Sequence, residues 1–224
     1  MYRFEFGYAN LVRLRRPKLL TSPWLAIWIR PKETIRQLVE TNPTRQVIGL
    51  ALLLGISLIF NEAVTQNAAD RVSLSFIVGM SLIAGPAAGL IALYAGVAVL
   101  HWVSRQFGGK ASPVELRAAV AWAALPNIVA LLLKIPELQL FGPEFFSSST
   151  PSLDANPKLA ATLTGFAIAE GILALWAFIL LVQCLSQVSR FSTWLGLITS
   201  IVPIFINGFV AARIVAAVLA VATS

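Results

Sequence analysis

The chain has 224 residues, of which 58% are hydrophobic and 12% charged, about half the charged share of a soluble domain. One water-soluble body cannot hide that much apolar surface, so lipid is the expected solvent for most of the chain. One cysteine (Cys184) excludes an internal disulfide framework, one histidine (His101) argues against a histidine-based metal site, and the net charge of +7 gathers toward one end.

Residues 1–43 read as a basic, amphipathic segment outside the membrane spans. A basic run, Arg13, Arg15, Arg16 and Lys18, precedes an apolar-aromatic patch that includes Trp24, Leu25, Ile27, Trp28 and Ile29. Pro31 opens a short predicted helix through Glu40, with Ile35, Leu38 and Val39 on one face and Lys32, Arg36 and Glu40 largely away from it. Arg30 joins the two stretches. Such a segment lies on the membrane surface or under the bundle, where each basic residue adds about 1 kcal/mol near anionic lipid. Anchoring with topology setting, capture of a protein partner, and recognition of a specific lipid all remain open for it. No cleavable signal is expected, because no apolar core in the first 45 residues exceeds Trp24–Ile29. Nucleic acid is not an expected partner, since no folded basic module is present and the membrane accounts for the charge.

Charged residues then cut the remainder into five predicted spans, roughly 44–64, 73–104, 113–135, 158–189 and 193–221. The cuts are sharp because a charge at the bilayer centre costs about 2.5–3.5 kcal/mol. Asn42-Pro43, Ser112-Pro113 and Asn156-Pro157 each pair an N-cap residue with a proline suited to a first helical turn, and Ser112 with Glu115 has capping-box spacing. Gly108-Gly109 is a helix stop, and Gly85-Pro86 predicts a kink or strong tilt in the long second span. Between the third and fourth spans, 134–158 is rich in Ser and Pro and reads as a solvated, flexible connection, with Phe141, Phe145 and Phe146 dipping into the interface.

Two charges interrupt the apolar spans: Glu170 in the fourth and Arg213 in the fifth. From a turn near Ser192 they lie about 22 residues back and about 21 forward, which puts both near the same height, about 30 Å away. The spacing permits an interhelical salt bridge, separate snorkelling to water, or a place in an ion pathway. Asn127, Gln183 and Asn207 are the midplane polar residues, without an evident relay. Small residues mark helix packing: Gly85, Gly89, Ala92 and Gly96 in the second span, Gly165 and Ala169 in the fourth. Such stripes let backbones approach, within one chain or between copies.

Thirteen Lys and Arg lie on the side of residue 1, and only Arg71, Lys134 and Lys158 occupy the opposite loops. The positive-inside rule then predicts a cytoplasmic N-terminus and a C-terminus outside. Nucleophile elbows, phosphate-binding glycine loops and paired metal-ligand spacings are absent from the sequence, so no catalytic residue and no cofactor is expected.

The stretch Ile29-Arg30-Pro31-Lys32-Glu33-Thr34-Ile35 followed by Asn42-Pro43, then Gly108-Gly109-Lys110 leading through 118–125 to Pro126, then Trp176–Leu185 with Ser192 and Trp194, resembles bacterial members of the Yip (Ypt-interacting protein) domain family. The resemblance covers about 23–221. It implies a five-span membrane protein; eukaryotic relatives are associated with Rab-type GTPases and vesicle trafficking. Their Asp-Leu-Tyr-Gly-Pro motif is missing here, so GTPase binding is not carried over, and the family brings no catalytic set. The expectation is an all-α, five-helix bacterial inner-membrane bundle that is not an enzyme. It would organise membrane or partner proteins through its N-terminal segment and helical bundle, with anionic lipids, a membrane-protein partner or a second copy as partners. The alternatives are a small transporter or channel with a Glu170/Arg213 site, and an accessory subunit of a larger complex.

Overall fold

The computed structural model describes residues 22–222, and every regular element among them is helical. A short helix α1 (Pro23–Ile29) turns at Arg30 into α2 (Pro31–Thr41), whose Pro31 occupies the first helical position. Then follow α3 (Val47–Thr65), α4 (Leu74–Gln106), α5 (Pro113–Ala123), α6 (Leu125–Ala130), α7 (Lys134–Phe141), α8 (Pro151–Ala155), α9 (Pro157–Ser189) and α10 (Thr193–Ala222). Five stretches are long and apolar enough to cross a membrane: α3, α4, the run Pro113–Phe146, α9 and α10. The chain is a multi-pass helical membrane protein. The basic run from Arg13 to Lys18 lies outside the described residues.

Local chemistry sets most boundaries where the sequence places them. The Ser112 N–H donates to Glu115 Oε2 at 2.6 Å and the Glu115 N–H to Ser112 Oγ at 3.3 Å, closing the capping box of α5. Asn156 Oδ1 accepts from the N–H groups of Lys158 and Leu159 at the start of α9. Gly108 takes φ +77, so α4 stops there, and Gly109 is pressed so close to Phe191 that a Cβ would stand 2.7 Å from its ring. Asn42 departs from expectation. It ends α2 and orders a turn by accepting from the Thr44 N–H, and α3 begins only at Val47. α4 runs unbroken through Pro86. The third span does break, at Ala124, next to Pro126, which has no N–H to continue the ladder.

The core has two parts. At the end carrying α1 and α2, here the collar end, Ile27, Ile35 and Leu38 join Leu50, Leu100, Trp122 and Leu185 in one cluster. The predicted apolar face of α2 is therefore buried under the bundle, and Lys32 Nζ donates to Thr193 Oγ1 at 3.1 Å, tying α2 to α10. At the far end a second cluster joins α3, α4 and α10 through residues such as Ile59, Met80 and Val215, with Phe146 filling its top. α3 and α4 form the tightest pair. A Cβ on Gly85 would stand 2.7 Å from the Ile56 Cα, and one on Gly89 or Gly55 would run into backbone of the opposite helix. Ala92 and Gly96 continue the same buried face, with Gly96 against Ile206 of α10 at a virtual 3.6 Å. This small-residue stripe works inside the chain. Gly165 has nothing within 4 Å, so the stripe with Ala169 is unused within it.

The first part of the connection 134–158 is ordered packing, a correction to the loop expected there, while Ser148, Ser149, Pro151, Ser152 and Asp154 are exposed, in keeping with a solvated stretch. Phe141 and Phe146 are buried, with Phe146 set against Phe60 at 6.2 Å and Phe141 edge-on to Phe166 at 6.2 Å. These rings fold back onto the far-end core because it offers more apolar contact than the interface does. Glu144 accepts from the Ser152 and Leu153 N–H groups and so caps α8, while Asp70 accepts from the Ser148 N–H at 3.1 Å and from the Ser147 hydroxyl.

Candidate functional site

The fourth span carries its acid where the bundle opens. Over its collar half α9 packs against α2, α5 and α10, burying Leu180, Cys184, Leu185 and Val188. Cys184 is a fully buried packing residue. Over the far half the apolar side chains Ile168, Ile172 and Leu175 face outward, and the side toward the bundle is built from small residues. Small residues on this face leave room that larger ones would have filled.

The room is a cavity with two compartments that share Asn127 and Ala174 as walls. The one nearer the middle of the bundle, about 250 Å³, is bounded by Leu54, Val120, Phe178, Leu181, Pro203 and Asn207. The one nearer the far end, about 330 Å³, is bounded by Ser57, Asn61, Ala167, Glu170 and Gly171. Asn127 and Asn207 each lie 14 residues into their spans, about 21 Å along the helix and thus near the bilayer midplane. Ala167, Gly171, Ala174 and Ile204 line the cavity and are exposed, so it opens sideways along the far half of α9 and, in the middle compartment, beside Ile204 of α10.

At the cavity's far wall stands a three-charge cluster. Lys134 Nζ lies 2.5 Å from Glu170 Oε1 and 3.1 Å from Glu137 Oε2. Lys134 is 4% exposed and Glu137 1%, while Glu170 keeps 25% and borders the cavity. Both carboxylate oxygens facing Lys134 have no other partner among the described residues. The Phe145 ring covers the ammonium at 4.8 Å, adding a cation–π contact. With all three groups ionised, the cluster carries one net negative charge.

Glu170 thus pairs with Lys134, and of the arrangements the spacing permits the bridge to Arg213 does not form. The two side chains point different ways around their helices. Arg213 shares a face with exposed Phe209, Ala216 and Ala217, while Ala211, Val215 and Leu219 carry the buried face of α10. Arg213 is exposed on the outer side of α10 and makes no ion pair among the described residues.

The polar residues of the middle are brought together in part. Ser57 donates to the Asn127 carbonyl at 3.3 Å, and Asn127 and Asn207 face one compartment. Gln183 borders neither. The side-chain amides of Asn61, Asn127 and Asn207 have no hydrogen-bond partner among the described residues. Asn127 and Asn207 are half-buried and Asn61 is exposed, so all three amides are accessible to a polar group in the cavity. Lys134 and Glu137 were read as loop residues, and only the proximity of two opposite charges to the end of an apolar span hinted otherwise.

The collar is the other place where functional side chains gather. Trp24 packs on Trp122 at 5.3 Å and Trp122 Nε1 donates to the Arg45 carbonyl at 3.2 Å, which fixes α1 beside the third span. Leu25, Ile29, Arg30 and Arg36 remain exposed, and Trp28 and Lys32 are half-buried.

A family model for the Yip1 domain matches residues 25–214, from α1 into the last span. No curated protein and no solved structure matches the chain.

Proposed function

The chain belongs to the Yip1 domain family, and from that premise we propose a non-enzymatic protein that organises lipids or partner proteins at the cytoplasmic face of the bacterial inner membrane. The observation that carries this reading is the collar. Its helices spend one face on the bundle core and leave Leu25 and Ile29 exposed, 71% and 83%, beside Arg30 and Arg36. An apolar rim with cationic neighbours suits an anionic membrane surface or the apolar face of a partner. Lys and Arg outnumber other charges at this end, which supports a cytoplasmic collar and an outer far end.

The test is the double variant Leu25→Glu/Ile29→Glu in the full chain, extracted gently from native membranes. The expected result is an unchanged unfolding midpoint with loss of copurifying protein and of retained anionic lipid. Wild-type levels of both would overturn the reading.

Transport is the second reading, and the lateral cavity favours it. Against it stands the collar half of the bundle, where Leu100, Leu116, Trp122 and Leu185 fill the interior and offer a polar solute no path. Vesicle flux above that of protein-free vesicles would restore transport. An accessory-subunit role draws on the unused far half of α9, and a stoichiometric membrane-protein partner would support it.

A further inference from the structure

We propose that the cavity beside the far half of α9 binds an ammonium group carried on an alkyl chain, taken up sideways from the lipid with Glu170 as its counter-ion. Three observations converge on this ligand class.

The first is charge. Lys134 is shared by Glu137 and Glu170, which leaves the cluster one positive charge short of neutrality in surroundings that penalise net charge. Lys134 and Glu137 are closed off, so Glu170 is the member open to an incoming cation. A proton on one carboxylate would also neutralise the cluster, but it would leave the neighbouring amides without partners. The second observation is those amides: Asn127 borders both compartments, Asn61 the far one and Asn207 the middle one, and none is hydrogen-bonded through its side chain among the described residues. The third is the position of the charge. Glu170 stands at one end, beside Ser57, Asn61 and Asn127, and past the amides of Asn127 and Asn207 the remaining wall is apolar, with Leu54, Val120, Phe178, Leu181 and Ile204. A charge at one end with mainly apolar walls beyond it is the order of a lipid lying in one leaflet. The exposed lining residues belong to membrane-spanning helices, so such a ligand would enter from the bilayer. The far compartment, about 330 Å³, lies at the lower end of the roughly 300–1,000 Å³ typical of small-molecule sites. That suits a single-chain ligand better than a two-chain one. An anionic headgroup is disfavoured, because Lys134 is already engaged by two carboxylates.

The experiment titrates the full chain in maltoside micelles with dodecylammonium, dodecanol and butylammonium, and reads binding by native mass spectrometry. Wild-type protein should bind dodecylammonium at least about tenfold more tightly than dodecanol, the effect of one charge-assisted contact. Glu170→Gln should erase that preference. Should Glu170→Gln fail to fold, Ala174→Phe serves instead: it fills the shared wall, keeps every charge, and should reduce dodecylammonium binding by a similar factor. Butylammonium binding as tightly as dodecylammonium would retain the ammonium site and transfer it from a membrane amphiphile to a free amine, overturning the lipid source. Equal binding of dodecanol and dodecylammonium, or binding unaffected by both variants, would overturn the proposal. The collar variant Leu25→Glu/Ile29→Glu should bind like wild type, which separates this site from the organising role.

Discussion

Lys134 holds two carboxylates at once, and that arrangement dictates how the far end responds to substitution. Lys134→Ala would leave Glu137 and Glu170 facing each other without a cation. Breaking a buried pair in this way costs about 3–5 kcal/mol, and the expected result is a lower unfolding midpoint in detergent. Arg213→Met should change the midpoint by less than about 0.5 kcal/mol, because Arg213 makes no ion pair among the described residues and lies on an exposed face. If the two variants were equally damaging, the assignment of Glu170 to Lys134 would fail. Asp70 gives the pH dependence. Hydrogen bonds from Ser147 first, then Ser148, hold its carboxyl below the ordinary carboxylate range. A lowered folded-state value means the contact contributes fully above the unfolded pKa, near 3.9, and is lost as pH falls through the lowered value. Proteolysis of the 147–149 strap should therefore be slow at neutral pH and accelerate only in strong acid, with Asp70→Asn fast throughout. The acids and bases themselves stand out in the sequence. Their pairing does not, because Lys134 and Glu170 are separated by 36 residues and no local pattern links them.

Helices read well from sequence where a charge or cap ends them, and poorly where tertiary contacts do. The capping box at Ser112 and the cap at Asn156 are local hydrogen bonds, so composition at three or four positions is enough to place them. The region 134–158 is only partly legible in the same way, because Phe141 and Phe146 pack on distant rings and Ser147 and Ser148 bond to Asp70, far away in sequence. The glycine stripes show a similar division. Both stripes have the same spacing, yet one joins α3 to α4 and the other faces outward. Gly89→Ala should cost about 1–3 kcal/mol or more, since its Cβ would collide with the backbone of Ala51. Gly165→Ala, with open space around it, should stabilise the chain by about 0.5–1 kcal/mol through helix propensity. Chemical unfolding of the two variants side by side checks the pair, and an equal loss would mean that Gly165 is packed after all.

Across the whole molecule, collar and bundle share one core. Ile35 and Leu38 are buried against the spans, so removing residues 22–41 should unfold the collar half, and Leu38→Ala alone should cost about 2–5 kcal/mol. α1 and α2 are therefore part of the folded bundle. Residues 25–214 matched by the family model include α2, in keeping with that packing. Thermal unfolding of Leu38→Ala with no shift would separate the two parts again. What the sequence determined by itself was the solvent and the number of crossings, because the cost of placing a charge in hydrocarbon is paid residue by residue along the chain. What tertiary structure decided was the direction each helix faces: Glu170 toward Lys134, Arg213 outward from the bundle, one glycine stripe inward and one outward. Hydropathy fixes height in a bilayer but leaves rotation about the helix axis free, and only packing against neighbouring helices sets it.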